Sequence, residues 1–288
     1  MKRIITILFL SASTAAVAQT KVLDHAVITT KTTIVSPEGE DNNAPASIQG
    51  DGGGGEVRVM RFGGDGETKS VTTIKGNMVK TYIETDMSRT TTLRDNDKKT
   101  TTTLMEMMGK KTGFYATDDD QAQMTKAMDS MMKSRAQNGG GGNNPFTSNA
   151  VANSTIAYVD ETKKVAGLAC KKAIVIVTRK SGTKDSTIVW YCPDFKLQGI
   201  VSTGGTSGFG PFSRATSLSG LDSLAGFPMQ YEMKMPRGRK MIVEVTKINT
   251  DKEVADKEFE IPKDFDVKPM KDMQNGMGRG GFQMRIGG

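Results

Sequence analysis

Apolar and polar residues alternate along most of this chain with the two-residue period of β-strands. Threonine reinforces the pattern, because it is paired at 72–73 and fills positions 90–92 and 100–103. β-branched side chains favour strands, since their restricted rotation suits a pleated surface better than a helix. Glycine-rich segments interrupt the pattern as turns. The predicted strands lie at about 22–35, 56–62, 68–75, 78–86, 87–94 and 98–105.

The segment 94–98 has the composition of a turn between two of these strands. It contains Asp95 and Asp97, and aspartates at this spacing also occur in calcium-binding loops. A calcium loop needs further oxygen ligands and a glycine at fixed positions, and this segment lacks them. We therefore predict a hairpin turn here.

One segment follows a helical period instead. Thr117 is a suitable N-cap, and the aspartates at 118–120 complement the positive end of the helix dipole. The predicted helix runs to about Arg135, and methionines recur on one side of it. The methionine stripe consists of Met124, Met128, Met131 and Met132. Because methionine is flexible and polarizable, such a stripe suits adaptable apolar contacts.

The second half of the chain contains two predicted hairpins. In the first, strands at 173–179 and 187–192 flank a turn at 180–182. If Ser181 is its centre, Cys170 faces Cys192 across the ladder, within the distance that a disulfide spans. A metal site and a redox pair are the alternatives, but the chain has no C-x-x-C and one histidine. We predict a structural disulfide.

The second hairpin joins strands at 227–235 and 240–248 through a turn at 236–238. Met229, Tyr231 and Met233 alternate with polar residues, so one face of this hairpin is predicted to be apolar. From about Met270 the chain is rich in glycine and methionine, which predicts a disordered tail.

The N-terminus has the pattern of a secretory signal peptide. Lys2 and Arg3 precede an apolar run, and a small-x-small site at 16–18 predicts cleavage after Ala18. No later stretch has the roughly 18 consecutive apolar residues of a transmembrane helix. The mature chain is therefore predicted to be exported into an oxidising compartment, where disulfides persist.

Charge adds little to this prediction. The full chain has a net charge of +7, of which two charges leave with the signal peptide. The basic residues are spread along the chain without a stacking aromatic module, so nucleic acid is not a predicted partner. A solvated basic surface accounts for them. Peripheral association with anionic lipid or polysaccharide of the envelope is the alternative.

The second half of the chain also resembles a known family. The segments are VAGLACKKA at 165–173, IVWY at 188–191, GFPMQY at 226–231 and FEIPKDF at 259–265. In this order they resemble an exported domain-of-unknown-function family of Gram-negative envelopes, similar in architecture to the LolA and LppX half-barrel carriers of lipoproteins or lipids. The resemblance is best over 150–268 and fainter over 22–135.

This resemblance implies a periplasmic protein with one domain at 19–269, between the signal peptide and a tail at 270–288. The domain would be mainly β, an antiparallel sheet curled into an unclosed half barrel. One or two helices would lie on its concave face, and glycine-rich loops would occur near 50–66 and 138–144.

Catalytic chemistry has little support in the sequence. His25 is the only histidine, so any Ser-His-Asp or Cys-His arrangement would depend on it. The glycine loop around Ser207 lacks the spacing of a nucleophile elbow, and no phosphate-binding G-x-x-x-x-G-K-[ST] occurs. We predict a protein that is not an enzyme and has no cofactor.

Three functions remain as hypotheses. The first is a carrier or sensor of an apolar ligand, a lipid or a lipoprotein, with core packing as the alternative role of its methionines. The second is an interaction module for an envelope protein or glycan. The third is copper(I) binding by thioethers, for which Met105, Met107, Met108, Met131 and Met132 are candidates. For the first, the predicted lining residues are Met124, Met128, Met131, Trp190, Met229, Tyr231 and Met233.

Overall fold

The structure is a computed structural model, which describes residues 20–36, 46–47, 58–59, 66–85, 88–137, 151–197, 221–234 and 238–272. The predicted signal peptide, the loop at 138–144, most of the loop at 50–66 and the tail beyond residue 272 lie outside these residues.

The first half of the chain consists of short strands followed by one helix. These elements are β1 (Lys21–Leu23), β2 (His25–Val35), β3 (Ala46–Ser47), β4 (Arg58–Val59), β5 (Gly66–Lys75), β6 (Met78–Glu84), β7 (Ser88–Asp95), β8 (Thr100–Met107), β9 (Lys110–Thr117) and α1 (Asp118–Gln137). The turn before β8 is confirmed, because the Asp95 carboxylate accepts hydrogen bonds from the backbone N–H groups of Asp97 and Lys98. Strand β9 was not predicted.

The second half is also built from strands. They are β10 (Val151–Val165), β11 (Leu168–Arg179), β12 (Lys184–Cys192), β13 (Phe195–Leu197), β14 (Phe227–Lys234), β15 (Lys240–Asn249) and β16 (Asp266–Pro269), with 3-10 turns at Leu221–Ser223 and Asp256–Phe259. The strands of both predicted hairpins pair as expected, and residues 235–237, which include most of the second predicted turn, lie outside the described residues. The long strand β10 was not predicted, since its residues Asp160, Glu161, Lys163 and Lys164 are charged on both alternating faces.

Twelve of these strands form one sheet, in the order β10-β11-β12-β14-β15-β2-β5-β6-β7-β8-β9-β16. Neighbouring strands are antiparallel except β9 and β16, which are parallel. Strands β10 and β16 are its two edges, so the sheet is not closed into a barrel. The predicted class, a mainly β fold with an unclosed sheet, is confirmed.

The hairpin of β11 and β12 has the predicted register. Every cross-strand pair, from Lys171 opposite Tyr191 to Thr178 opposite Lys184, is symmetric about position 181. Register shifts occur instead between β10 and β11, near Val159, and between β12 and β14, next to Trp190. Shifts of this kind twist a sheet locally and redirect side chains.

In the first half, register aligns threonines across four strands. Thr72, Thr81, Thr92 and Thr103 are successive cross-strand partners on β5 to β8. Because side chains on a strand alternate between faces, this row and the residues two positions away share one side of the sheet. We call this side the threonine face. Ile28 and Phe114 end the row on β2 and β9.

The opposite side of the same strands is crossed by residues 250–265, which we call the strap. Three ion pairs tie it to β5, β6 and β9: Lys75–Asp256 at 2.6 Å, Lys80–Glu258 at 3.2 Å and Lys111–Asp264 at 2.5 Å. Val254 is buried, and the strap ends in β16, which pairs with β9. We call the side that carries these lysines the strap face.

The strap face also carries a row of alternating charge. Lys69, Glu84, Arg89, Glu106 and Lys111 are successive cross-strand partners from β5 to β9. Arg89 lies 2.8 Å from Glu84 and 3.8 Å from Glu106. Opposite charges placed directly across strands stabilise a pairing, and like charges oppose it, so this row favours one register.

Two groups of buried side chains form the core. The first surrounds Ile28, Ile74 and Met229 and includes both cysteines, with Phe195 stacked on Phe227 at a centroid distance of 5.5 Å. The second lies on β11 and β12 around Val189 and Tyr191, covered by Leu221 and Leu224. Together they place most of the buried apolar area where β2, β5, β11, β12, β14 and β15 meet.

Two glycines lie where the surrounding atoms leave no room for a Cβ atom. A Cβ on Gly113 would lie 2.8 Å from the Cγ2 atom of Val267 and 2.9 Å from the Cδ2 atom of Leu104. A Cβ on Gly226 would lie 2.0 Å from the backbone oxygen of Cys192. We expect Gly113→Ala to lower the free energy of unfolding by about 1–3 kcal/mol, because the side chains of Val267 and Leu104 can shift. Gly226→Ala should lower it further, because the backbone at Cys192 would have to move.

Urea unfolding followed by circular dichroism measures both losses. Adding Val267→Ala to Gly113→Ala should recover part of the stability by making room for the new methyl group. Equal losses for the two glycine variants, or no recovery with Val267→Ala, would contradict this packing.

Candidate functional site

The helix starts beside the threonine face. Thr117 and Asp120 cap it reciprocally: the Thr117 hydroxyl oxygen accepts from the Asp120 N–H at 3.1 Å, and the Asp120 carboxylate accepts from the Thr117 N–H at 2.9 Å. The predicted N-cap is thus confirmed. Arg94, which lies on the threonine face, binds Asp118 through two hydrogen bonds of 2.5 and 2.9 Å. This pair fixes the first turn of α1 to that face.

The methionine stripe of α1 is only partly described. Met124 is half-buried, and the side chains of Met128, Met131 and Met132 lie outside the described residues. The helix contacts β9, the strand from which it emerges. Strand β9 lies seven strands from β14 in the sheet, on the order of 30 Å along it. The described contacts therefore do not bring the stripe together with Met229, Tyr231 and Met233.

The threonine face carries large apolar side chains that are neither buried nor fully exposed. Cross-strand register places them all on the threonine face, because each pairs with a residue whose side chain lies on that face. The sequence showed the alternation of Met241 and Val243 with polar residues and offered Met105 for copper(I), but it did not group these side chains, because only cross-strand register brings them to one side of the sheet. The half-buried set consists of Ile34, Ile83, Met105, Met241 and Val243.

The predicted lining residues of β14 lie next to this set. Tyr231 and Met233 pair with Val243 and Met241, so they belong to the same side of the sheet. Met233 is 9% exposed and Met229 is 1% exposed, and Met229 packs in the first core cluster. Burial raises the pKa of the Tyr231 hydroxyl to about 12. Met229, Tyr231 and Met233 therefore pack in the core. The more accessible apolar surface of the threonine face is on β2, β6, β8 and β15.

Trp190 lies in a different environment. Its ring is half-buried beside two amines, with Lys163 Nζ 4.3 Å and Lys172 Nζ 5.9 Å from the ring centroid. The Lys163 amine also donates a hydrogen bond to Gln230, which is the cross-strand partner of Trp190. A hairpin centred on Ser181 places Lys172 opposite Trp190, but the sequence gave no sign of Lys163, which a register shift in β10 brings to the ring.

The predicted disulfide is absent from the structure, which contains Cys170 and Cys192 as buried free cysteines. Both belong to the first core cluster, and they lie one step beyond the last ladder pair of β11 and β12. Burial raises the pKa of both thiols, that of Cys192 to about 11. Protonated thiols exchange slowly, because the thiolate is the reactive species.

The described residues bring together no catalytic set. His25 lies 2.6 Å from Asp24, and this pair is solvent-exposed beside the first strand. No group of three or more histidine, cysteine, aspartate or glutamate side chains that could hold a metal occurs in the described part of the chain. Of the methionines suggested for copper(I), Met105 and Met107 are half-buried on one strand, whereas Met108 is 86% exposed in a turn.

No protein-family model matches the sequence, and no curated protein matches it significantly. Solved structures that match this chain weakly include PNGF-II, with 12% identity and a TM-score of 0.36 over 87% of this chain and 32% of that one. MucB matches with 10% identity and a TM-score of 0.35, over 86% of this chain and 60% of that one. This chain thus spans about a third of the PNGF-II chain.

A domain from Vibrio parahaemolyticus described as an outer membrane lipoprotein-sorting protein also matches, with 8% identity and a TM-score of 0.18. The match covers 82% of this chain and 89% of that one. TM-scores this low assign neither a fold family nor a function. The resemblance to half-barrel carriers, and with it the periplasmic location, therefore stays a prediction. Among the described helices, none has the length and hydrophobicity needed to cross a bilayer.

The pair of Arg94 and Asp118 gives a pH-dependent prediction. The hydrogen bond from Arg94 lowers the pKa of Asp118, so the pair stabilises the fold above the ordinary carboxyl value of about 3.9. This stabilisation is lost as the pH falls through the lowered value. We expect Asp118→Asn to reduce the free energy of unfolding by about 1 kcal/mol at pH 7, because Asp118 is partly exposed, and by much less at pH 3.

Urea titrations at the two pH values measure the difference. Asp119→Asn is the matched control, since Asp119 is exposed in the same helical turn. A loss for Asp118→Asn that stays constant from pH 7 to pH 3, or that Asp119→Asn reproduces, would argue against the pair.

The cysteine register gives a second prediction. Refolding the protein with oxidised glutathione should link Cys170 to Cys192, because they lie one step beyond the ladder pair of Lys171 and Tyr191, where continuation of the same register would place them opposite each other. The linked form should be more stable than the reduced form by about 3 kcal/mol. Peptide mapping without reduction detects the bridge, and recovery of both cysteines as free thiols after such refolding would show that their geometry forbids it.

Proposed function

We propose that this chain is a non-catalytic envelope protein, exported to the periplasm, that binds an apolar ligand such as a lipid or a lipid-modified partner on its threonine face. The observation that carries the proposal is the half-buried set of Ile34, Ile83, Met105, Met241 and Val243. Apolar side chains in this state still have area that a ligand can remove from water, at about 25 cal/mol per Å².

The composition of the threonine face supports an apolar or amphiphilic ligand. Met105 and Met241 are unbranched and adapt to different apolar shapes. Threonines between them add a methyl group and a hydroxyl group each, and the hydroxyls of Thr72 and Thr81 lie 3.4 Å apart. Such a surface accepts hydrocarbon while it offers hydrogen bonds to a polar group on the same ligand.

The position of α1 also supports this proposal. Its first turn is held to the threonine face by Arg94 and Asp118, and the half-buried Met124 follows two turns later. A helix anchored at one end beside an apolar face can line a ligand site.

Strand β10 supports a second candidate, an interaction module for another envelope protein. It is fifteen residues long and forms one edge of the sheet, paired on one side with β11. An edge strand of this length can accept a strand from a partner. Its register shift near Val159 and its charges at 160–164 oppose such pairing, and we therefore place this function second.

Uptake of an uncharged probe tests the first proposal. Wild-type protein should bind N-phenyl-1-naphthylamine and enhance its fluorescence, and Met105→Glu and Met241→Glu should weaken binding at least tenfold, or about 1.4 kcal/mol. The charge would lie on the binding face in both variants. Met108→Glu is the matched control, because Met108 is 86% exposed outside that face and should bind as wild type does.

Urea unfolding must show that each variant is folded. If folded wild-type protein takes up no probe, or if Met108→Glu weakens uptake as much as Met105→Glu, the proposal fails. Capture of a protein partner by the β10 edge would then be the better explanation.

A further inference from the structure

A second surface, away from the half-buried set, brings amines and apolar side chains together. Trp190 is directly opposite Lys172 on β11 and Gln230 on β14. Ile188 lies two residues from Trp190 on the same side of β12, opposite Ile174. We call Lys163, Lys172, Ile188 and Trp190 the tryptophan–lysine patch. Ile188 is 46% exposed, so the patch has an uncovered apolar part.

The charge of Lys163 is poorly compensated. Its amine lies over the Trp190 ring and donates to the neutral amide oxygen of Gln230. In the described part of the chain, no carboxylate lies within ion-pair distance of it, and the one carboxylate that acts on it electrostatically is that of Glu244. Burial lowers the pKa of this amine, which shows that its surroundings solvate the charge less well than water does.

Lys172 differs, because it has a partner that a ligand can replace. Both carboxylate oxygens of Glu161 lie 2.9 Å from its amine. The Glu161 side chain is 52% exposed and that of Lys172 is 20% exposed, so solvent reaches the carboxylate and screens the pair, which lowers its net contribution to stability. An anion that approached both amines would form an ion pair with Lys163 and would compete with Glu161 for Lys172.

We propose that the tryptophan–lysine patch binds an anionic amphiphile, with its phosphate or carboxylate head group between Lys163 and Lys172 and its apolar chain over Ile188 and Ile174. The two parts of the patch are adjacent rows of one sheet face, about 7 Å apart along the strand. That distance suits a head group joined directly to a hydrocarbon chain. A free anion would use only one of the two parts.

This site is independent of the one on the threonine face. It lies on β10, β11, β12 and β14, whereas the half-buried set lies on β2, β6, β8 and β15. It also contains the only tryptophan of the chain, so intrinsic tryptophan fluorescence reports on this patch alone. The two proposals can therefore fail separately.

The test is a titration of Trp190 fluorescence with dodecyl phosphate below its micellar concentration. A saturable change is expected with dodecyl phosphate, and at least tenfold weaker binding with dodecyl maltoside, which has the same chain and no charge. Inorganic phosphate should also bind at least tenfold more weakly, because it lacks the chain. Equal binding of dodecyl maltoside would overturn the anionic part of the proposal, and equal binding of inorganic phosphate would overturn the apolar part.

Three variants locate the binding. Lys163→Met keeps an unbranched apolar stem over the ring and removes the charge, so affinity for dodecyl phosphate should fall at least tenfold. Glu161→Gln removes the competing carboxylate, so affinity should rise several-fold. Lys164→Met is the matched control, since Lys164 is exposed next to Lys163 and should leave binding unchanged.

If Lys163→Met does not fold, Glu161→Gln still tests the proposal, because Glu161 is exposed and its substitution should not disturb the fold. An unchanged affinity in Glu161→Gln, or a loss in Lys164→Met equal to that in Lys163→Met, would show that the amines do not hold the ligand. Met105→Glu should bind dodecyl phosphate at this patch as wild type does. Lys163→Met should still take up the uncharged naphthylamine probe, which separates this site from the threonine face.

Discussion

Cross-strand register is the constraint on which the rest of this structure depends. Side chains alternate between the two sides of a strand, so a slip of one residue would move every side chain to the opposite side. On one side the register aligns Thr72, Thr81, Thr92 and Thr103. On the other it aligns the alternating charges of the strap face. Both rows form in the same pairing, so a slip of one residue would disrupt the threonine row and the charged row together.

The two sides of the sheet are completed in different ways. The strap crosses one side and is tied to it by ion pairs of Lys75, Lys80 and Lys111. The other side is joined by the first turn of α1 through Arg94 and Asp118, and in the described part of the chain it carries the half-buried set of Ile34, Ile83, Met105, Met241 and Val243. This difference is what makes the threonine face a ligand-binding candidate, while the strap face between β5 and β9 is structural.

Register shifts create the second candidate surface. Val159 pairs with Lys172, and a regular ladder between β10 and β11 would place Glu161 opposite Cys170. The observed shift places Lys163 there instead. That places the Lys163 amine over Trp190. An irregularity in an edge strand thus positions a charge that a regular strand would have directed elsewhere, as bulges do at other binding sites.

The sequence by itself determined the strand-rich class, the cap of α1 and the hairpin centred on Ser181, because these follow from local periodicity and turn chemistry. It did not determine the order of the strands, the path of the strap or the place of Lys163. Those depend on pairings between residues far apart in the chain, such as Lys75 with Asp256. Local composition carries no information about which of two distant strands will meet, since every strand offers the same backbone donors and acceptors. Only the tertiary structure decided that.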